Sequence, residues 1–184
     1  EVAGHRWIDM SEDNYGVSVL NDCKYGFDTH DNTMRISLLR GAVRPDPKAD
    51  EGHHDFTYSL YPHTGTWQQA GTVRKAYELN APLVTRMVEA GSGTCPPVAS
   101  FAGVDAENVV IDSVKKAEDS DAIIVRLYEA HGWRGPVKLA FMHAPSAISE
   151  CNLMEEEDVE CTIDDGAVSF DIKPWEIRTF KVSF

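Results

Sequence analysis

The side chains of this sequence that could take part in chemistry are concentrated between Leu20 and Asp50, in the stretch LNDCKYGFDTHDNTMRISLLRGAVRPDPKAD. Two roles fit these residue types. An arginine fork matches a carboxylate, so Arg40 and Arg44 could pair with the nearby aspartates and brace a long connection. The same groups could instead contact a polar ligand such as a sugar. The sequence leaves both roles open and favours the structural brace.

The histidines suggest a metal site only at first sight. His53, His54 and Asp55 are adjacent, and His63 follows. Neighbouring side chains of a regular strand point to opposite faces, so His53 and His54 cannot both face one ion. The spacings typical of zinc ligands, such as C-x-x-C or H-E-x-x-H, are missing. We therefore expect no metal site formed within this chain, and no cofactor.

Signals for covalent catalysis are equally weak. No G-x-S-x-G motif occurs, and Cys23, although it stands beside Lys24, is better interpreted as a small core residue. The prolines after Gly93 exclude the helix start that a phosphate loop needs. The carboxylates are too abundant for spacing alone to identify an acid and a nucleophile. We expect no catalytic residue in this chain.

The composition narrows the class of protein. The chain has 184 residues, 42% of them hydrophobic, and a net charge of −13. Such a charge repels phosphate backbones and anionic membranes, so we expect neither nucleic-acid nor membrane partners. No apolar run approaches the roughly 18 residues of a membrane span, and the N-terminus does not resemble a signal peptide. Four cysteines without C-x-x-C spacing favour reduced thiols and a cytoplasmic location.

Strands must position the polar stretch. Alternating patterns in YGVSVLND, MRISLL and DFTYSLYPH predict antiparallel strands, with Pro62 ending the pairing of the third. One short helix is predicted within WQQAGTVRKAYELN, ended by Pro82. Residues 90–103 are rich in Gly, Pro and Ser and predict a linker. The strand-rich remainder predicts a small antiparallel sandwich.

Several runs taken together resemble one family. They are HRWIDMSEDNYGVSVLNDCKYGFD, MRISLLRGAVRPDPKADEGHHDFTYSLYPHTGTW, AYELNAPL, VRLYEAHGWRGPVKLAF and PWEIRTFKV. In order and almost along the whole chain, they are similar to the C-terminal region of family 38 glycoside hydrolases, the α-mannosidases of the cytosolic and bacterial type. The combination of LNDCKYGFD with LLRGAVRPDPKAD is highly specific.

The resemblance implies an all-β fold: residues 1–103 as an antiparallel β-sandwich that is part of a larger C-terminal super-sandwich, and 104–184 as a smaller one. Family members are retaining enzymes that use an aspartate nucleophile and a divalent metal, usually zinc, in domains that no run here matches. We therefore expect an excised, inactive C-terminal region. Its partners would be the catalytic and helical domains of the same parent chain and an α-mannoside.

The resemblance also implies candidate substrate contacts. In the family, the β-rich part lends residues to the rim of the sugar pocket. The residues of this chain that we expect to do so are Asn21, Asp22, Lys24, Tyr25 and Arg40. The alternative is a stand-alone carbohydrate-binding or interaction module. Strands missing upstream would leave exposed apolar patches, through which the isolated chain could form homo-oligomers.

Overall fold

The protein consists of two compact units, Glu1–Glu89 and Ala90–Phe184. A computed structural model describes residues 1–94 and 96–184 of the chain. Both units are built from antiparallel sheets, and the described residues form a single α-helix. The expected all-β fold is confirmed. The residue at position 95 lies outside the described residues, and with it one of the predicted reduced cysteines.

The first unit contains two three-stranded antiparallel sheets, with the strand orders β1-β4-β5 and β2-β3-β6, and one helix. Its elements are β1 (Val2–Ala3), β2 (Trp7–Ser11), β3 (Gly16–Asn21), β4 (Gly26–His30), β5 (Thr33–Ile36), β6 (Tyr58–His63) and α1 (Thr72–Asn80). The three strands predicted from alternation are all present. The third continues through Pro62, which pairs with Val17. The expectation that Pro62 ends the pairing was wrong, because β6 is an edge strand, where a proline is tolerated.

The two faces of the β2-β3-β6 sheet differ in character. On one face, Val19 of β3 lies opposite Ile8 of β2 and Leu60 of β6. On the other face, Ser18 bonds to Thr72 of α1 at 2.8 Å. Val19 is buried but Leu60 is largely exposed. The helix thus contacts the face of β3 that carries Ser18, and the edge strand exposes Tyr58 and Leu60 to solvent.

The helix begins later than its sequence pattern suggested. Residues 67–71 form turns, and Gly71 precedes α1 with a φ of 65°. This left-handed conformation favours glycine. The turns are held by Trp67, whose ring lies 5.0 Å from that of Trp7, and by the Tyr61 hydroxyl, which donates to the Ala70 carbonyl. The short surface helix is confirmed from Thr72 onward.

The second unit packs a three-stranded sheet (β13-β10-β7) with a five-stranded sheet (β12-β11-β14-β9-β8). Its strands are β7 (Ala102–Val104), β8 (Val109–Lys116), β9 (Ile123–Glu129), β10 (Gly135–Phe141), β11 (Ala147–Cys151), β12 (Val159–Glu160), β13 (Ala167–Ile172) and β14 (Ile177–Ser183). Leu127, Leu139, Ile148 and Phe180 are fully buried in one core cluster. Residues from both sheets alternate inward to form this core, as the strand patterns predicted.

A buried carboxylate joins three turns of the second unit. Glu129, at the end of β9, accepts hydrogen bonds from the backbone N–H groups of His131, Gly132 and Trp175 and from the Asn108 side chain, at 2.8–3.0 Å. Burial alone would raise its pKa. The hydrogen bonds outweigh burial and hold the pKa below the ordinary value of 4.5. The ionised carboxylate therefore holds these turns together.

Candidate functional site

The predicted site begins where β3 ends. Asn21 is buried, and its side-chain oxygen accepts a hydrogen bond from the Lys24 backbone N–H at 2.6 Å. The Asn21 carbonyl accepts one from the Asn80 side chain at the end of α1. Asn21 thus shapes the turn between β3 and β4 and ties it to the helix. Its side-chain oxygen is engaged inside the fold, whereas its buried Nδ2 has no hydrogen-bond partner among the described residues.

Asp22 has a similar internal role. Both of its carboxylate oxygens lie 3.0 Å from the Thr57 backbone nitrogen, and its own N–H donates to the Thr57 carbonyl. The Thr57 N–H, followed by the Cys23 thiol, lowers the pKa of the Asp22 carboxyl. Asp22 therefore holds the segment that enters β6 against the end of β3.

Cys23 differs from its sequence interpretation. Its side chain is exposed, so the expectation of a small core residue was wrong. Its hydrogen bond to Asp22 is the main cause that raises the pKa of the thiol, and Lys24 opposes this only weakly. A raised pKa reduces the thiolate fraction, which makes Cys23 a poor nucleophile. The neighbouring lysine does not activate it.

In the turn between β3 and β4, Lys24 supplies a positive charge and Tyr25 supplies an aromatic ring. The Lys24 ammonium lies 4.8 Å from the centre of the Phe56 ring. Tyr25 stacks on His5 with 5.3 Å between ring centres and is 56% exposed. A ring supported from behind and open in front can bind the apolar face of a pyranose, while its hydroxyl reaches the sugar oxygens.

Arg40 lies beyond β5 in an irregular, exposed segment. Within residues 1–94 and 96–184, no hydrogen bond, ion pair or ring contact joins its guanidinium to another side chain or to the turn at Asn21–Tyr25. The same range contains no Arg44–carboxylate pair. Instead, the Asp50 carboxylate accepts the Gly41 N–H at 2.6 Å, and that of Asp46 accepts the Lys48 N–H. The predicted brace by Arg40 and Arg44 was wrong, because Asp46 and Asp50 bind backbone N–H groups instead. An Arg–Asp ion pair of this stretch is formed by Arg35 and Asp28.

The structure contains a polar network that sequence reasoning missed. The Asp9 carboxylate oxygen Oδ2 lies 2.7 Å from His63 Nε2 and also accepts the Ser18 hydroxyl at 2.7 Å. Ser18 in turn bonds to Thr72. Ser18 and His63 share one oxygen of Asp9, so His63 is not placed as a base for the Ser18 hydroxyl. The network joins three strands and the helix, and its only sequence signal was a serine amid the apolar residues of β3.

The adjacent histidines do not form a cluster. His53 Nε2 lies 3.1 Å from Asp55, whereas His54 Nε2 lies 2.9 Å from the Asp50 carbonyl. No group of three or more His, Cys, Asp or Glu side chains in the described part of the chain is arranged to hold a metal ion. No described helix has the length and apolar character to cross a membrane.

Two family profiles match the chain at its two ends. The profile for the C-terminal domain of glycosyl hydrolases family 38 matches residues 1–48, which include Asn21–Tyr25 and Arg40. The profile for the family 38 C-terminal beta sandwich domain matches residues 108–180. The chain belongs to the C-terminal region of the family 38 glycosyl hydrolases. The two units of this family 38 region correspond in order to these two profiles.

Curated relatives match the family 38 chain along nearly its whole length. Alpha-mannosidase G of Dictyostelium discoideum is 36% identical over 98% of the chain. Alpha-mannosidase 2C1 of Homo sapiens is 37% identical over 96% of it. The chain spans 17% of the length of each of these relatives. A crystal structure of an alpha-mannosidase from Enterococcus faecalis V583 shares the fold, with a TM-score of 0.77 and 20% identity over 97% of this chain and 21% of that one.

Proposed function

We propose that this chain is the non-catalytic C-terminal β region of a retaining α-mannosidase that hydrolyses terminal α-mannosides. The observation that carries the proposal is the identity of 36–37% with α-mannosidases over nearly the entire chain. In this proposal the chain packs against catalytic and helical domains of the same polypeptide, in the cytoplasm. Those domains supply the nucleophile and the zinc or other divalent ion.

In this proposal, two side chains of this chain contact the substrate at the rim of the sugar pocket. Asn21 and Asp22 are engaged in the fold and set the shape of the turn. Tyr25 is the exposed ring of that turn, Lys24 adds a charge beside it, and Arg40 has donors free for sugar hydroxyls. We therefore assign direct contact to Tyr25 and Arg40 first, and a supporting role to the other three.

The test is steady-state kinetics of the full-length enzyme with an aryl α-mannoside. Arg40→Ala and Tyr25→Ala should each lower kcat/KM about tenfold or more, the effect of losing one or two sugar contacts. Arg44→Ala is the matched control, since Arg44 is an exposed arginine of the same segment. Values of kcat/KM that stay within twofold of the wild type for both test variants would refute the rim assignment.

A second candidate, a stand-alone carbohydrate-binding module, is favoured by one observation in the second unit. Trp133 and Trp175 are both exposed, and the Trp175 indole lies directly over Gly132, the neighbour of Trp133. Exposed indoles are common sugar platforms. Calorimetric titration of mannose into the chain tests this candidate. Heat that Trp175→Ala abolishes would support it, and no heat at millimolar mannose would refute it.

A further inference from the structure

One short segment of the first unit is unusually apolar for its exposure. Residues 83–88, LVTRMV, follow α1 without regular secondary structure. Leu83, Val84, Met87 and Val88 are 94%, 98%, 97% and 77% exposed. Single exposed apolar residues are ordinary, but four large ones among six consecutive positions mark a surface that another chain segment covers.

The segment is tethered beside the predicted rim. At the end of α1, the Asn80 side chain donates to the carbonyls of Asn21 and Ala76 at 2.9 and 2.8 Å. The Ala81 N–H donates to the Tyr77 carbonyl. Residues 83–88 therefore begin close in space to the turn that carries Tyr25, because Asn80, three residues before the segment, is bonded to Asn21. A surface that binds residues 83–88 would also lie close to that turn.

Two observations indicate what covers residues 83–88. The alignments to the α-mannosidase relatives cover 96–98% of this chain but only 17% of each relative. Most of a relative's polypeptide therefore lies outside the aligned residues. A second copy is disfavoured, because each copy carries a net charge of −13 and two copies repel each other. These observations favour, as the covering surface, an apolar part of the remainder of such a polypeptide.

We propose that residues 83–88 dock onto the remainder of a longer α-mannosidase polypeptide and thereby seat the Asn21–Tyr25 turn at the sugar pocket. The inference rests on the proposed function, since it requires such a remainder. In this proposal, residues 83–88 do not touch the substrate. They are positioning residues that hold Tyr25 where it can contact the sugar.

Trypsin cleavage after Arg86, inside the segment, tests the docking directly. In the isolated chain Arg86 is exposed, and cleavage there should be fast. In the full-length polypeptide we expect cleavage at least about tenfold slower, because cleavage follows the population of the open form. A variant with Leu83, Val84, Met87 and Val88 all replaced by serine keeps Arg86 and should restore fast cleavage.

The matched control replaces Leu153 and Met154, two exposed apolar residues of the second unit, by serine. This control should leave Arg86 protected. Kinetics of the same proteins add a functional readout. The four-serine variant should raise KM for an aryl α-mannoside at least about threefold while changing kcat less, because the reacting groups are untouched.

The outcomes separate this inference from the proposed function. Active full-length enzyme whose Arg86 is cut as fast as in the isolated chain overturns the docking and leaves the proposed function intact. Protected Arg86 in a full-length protein without mannosidase activity overturns the proposed function and the seating of the Asn21–Tyr25 turn at a sugar pocket, and supports only the docking of residues 83–88 onto the rest of the polypeptide. Protection of the isolated chain that grows with its concentration shows a second copy on the segment, and also overturns the proposal.

Discussion

His63 Nε2 and Asp9 Oδ2 lie 2.7 Å apart with both side chains almost fully buried, across a separation of 54 residues in the chain. They stand on β6 and β2, the two edges of one sheet, and Ser18 on the central strand bonds to the same Asp9 oxygen. Removal of this buried acceptor would break both hydrogen bonds at once. This pair therefore couples all three strands of the sheet.

Asp9→Ala should destabilise the first unit by about 2–4 kcal/mol, because it leaves the buried Ser18 and His63 groups without their acceptor. Urea unfolding followed by tryptophan fluorescence measures the change. Asp13→Ala, at an exposed position of the following turn, should stay within about 0.5 kcal/mol of the wild type. Equal effects of the two substitutions would contradict the role of the network.

Glu129 should make the second unit sensitive to acid. Its folded-state pKa is lowered, so the stability it contributes is present above its ordinary, unfolded pKa of 4.5 and is lost as the pH falls through the folded value. Glu129→Gln should lower Tm at pH 7 and flatten the fall of Tm at pH values below 4.5. Thermal scans from pH 7 to pH 3 test this, with Glu107→Gln at an exposed position as the control.

Gly132 should not tolerate a side chain. Its φ is +78°, and a Cβ there would lie 2.7 Å from the Trp175 indole. Gly132→Ala should therefore cost about 1–3 kcal/mol, from backbone strain and displacement of the ring. Gly103→Ala is the control, because its Cβ would meet nothing within 4 Å. A Gly132→Ala protein as stable as the control would contradict both the backbone strain and the steric conflict with Trp175.

The Cys23 thiol should react slowly until Asp22 is neutralised. Its hydrogen bond to Asp22 raises the thiol pKa, so only a small fraction is thiolate at neutral pH. Asp22→Asn should lower that pKa and speed alkylation by iodoacetamide at pH 7.5 about threefold or more. Asp28→Asn, at a carboxylate of β4, is the control substitution. Mass spectrometry of the Cys23 peptide gives the rates, and an unchanged rate would refute the Asp22–Cys23 coupling.

Local patterns predicted part of the fold: in the first unit they indicated β3, β5, β6 and the helix, but not β1, β2 or β4. Alternation in YGVSVLND and MRISLL identified β3 and β5, since side chains of a strand point alternately to its two faces. Alternation did not reveal which face is buried. Tyr58 and Leu60 were expected to behave as a half-buried strand face, but they are exposed, and His63 on the other face is buried. The packing partner decides this, and it lies elsewhere in the chain.

The candidate site shows the same division. The candidate residues Asn21, Asp22, Lys24, Tyr25 and Arg40, and the family resemblance, could be identified without coordinates. The hydrogen-bond partners of these side chains could not be identified in that way. The sequence favoured pairing of Arg40 and Arg44 with aspartates, yet Asp46 and Asp50 bind backbone N–H groups, which lie closer and need no long side chain to be ordered.

The sequence by itself therefore determined the all-β class, the positions of some of the strands and the family, because these depend on short-range alternation and on runs of residues. Only the tertiary structure decided the partners of Asp9, Asp22 and Glu129, since each is joined to residues distant in the chain. It also decided that residues 83–88 stand in solvent, because burial is a property of the packed chain and not of any local run.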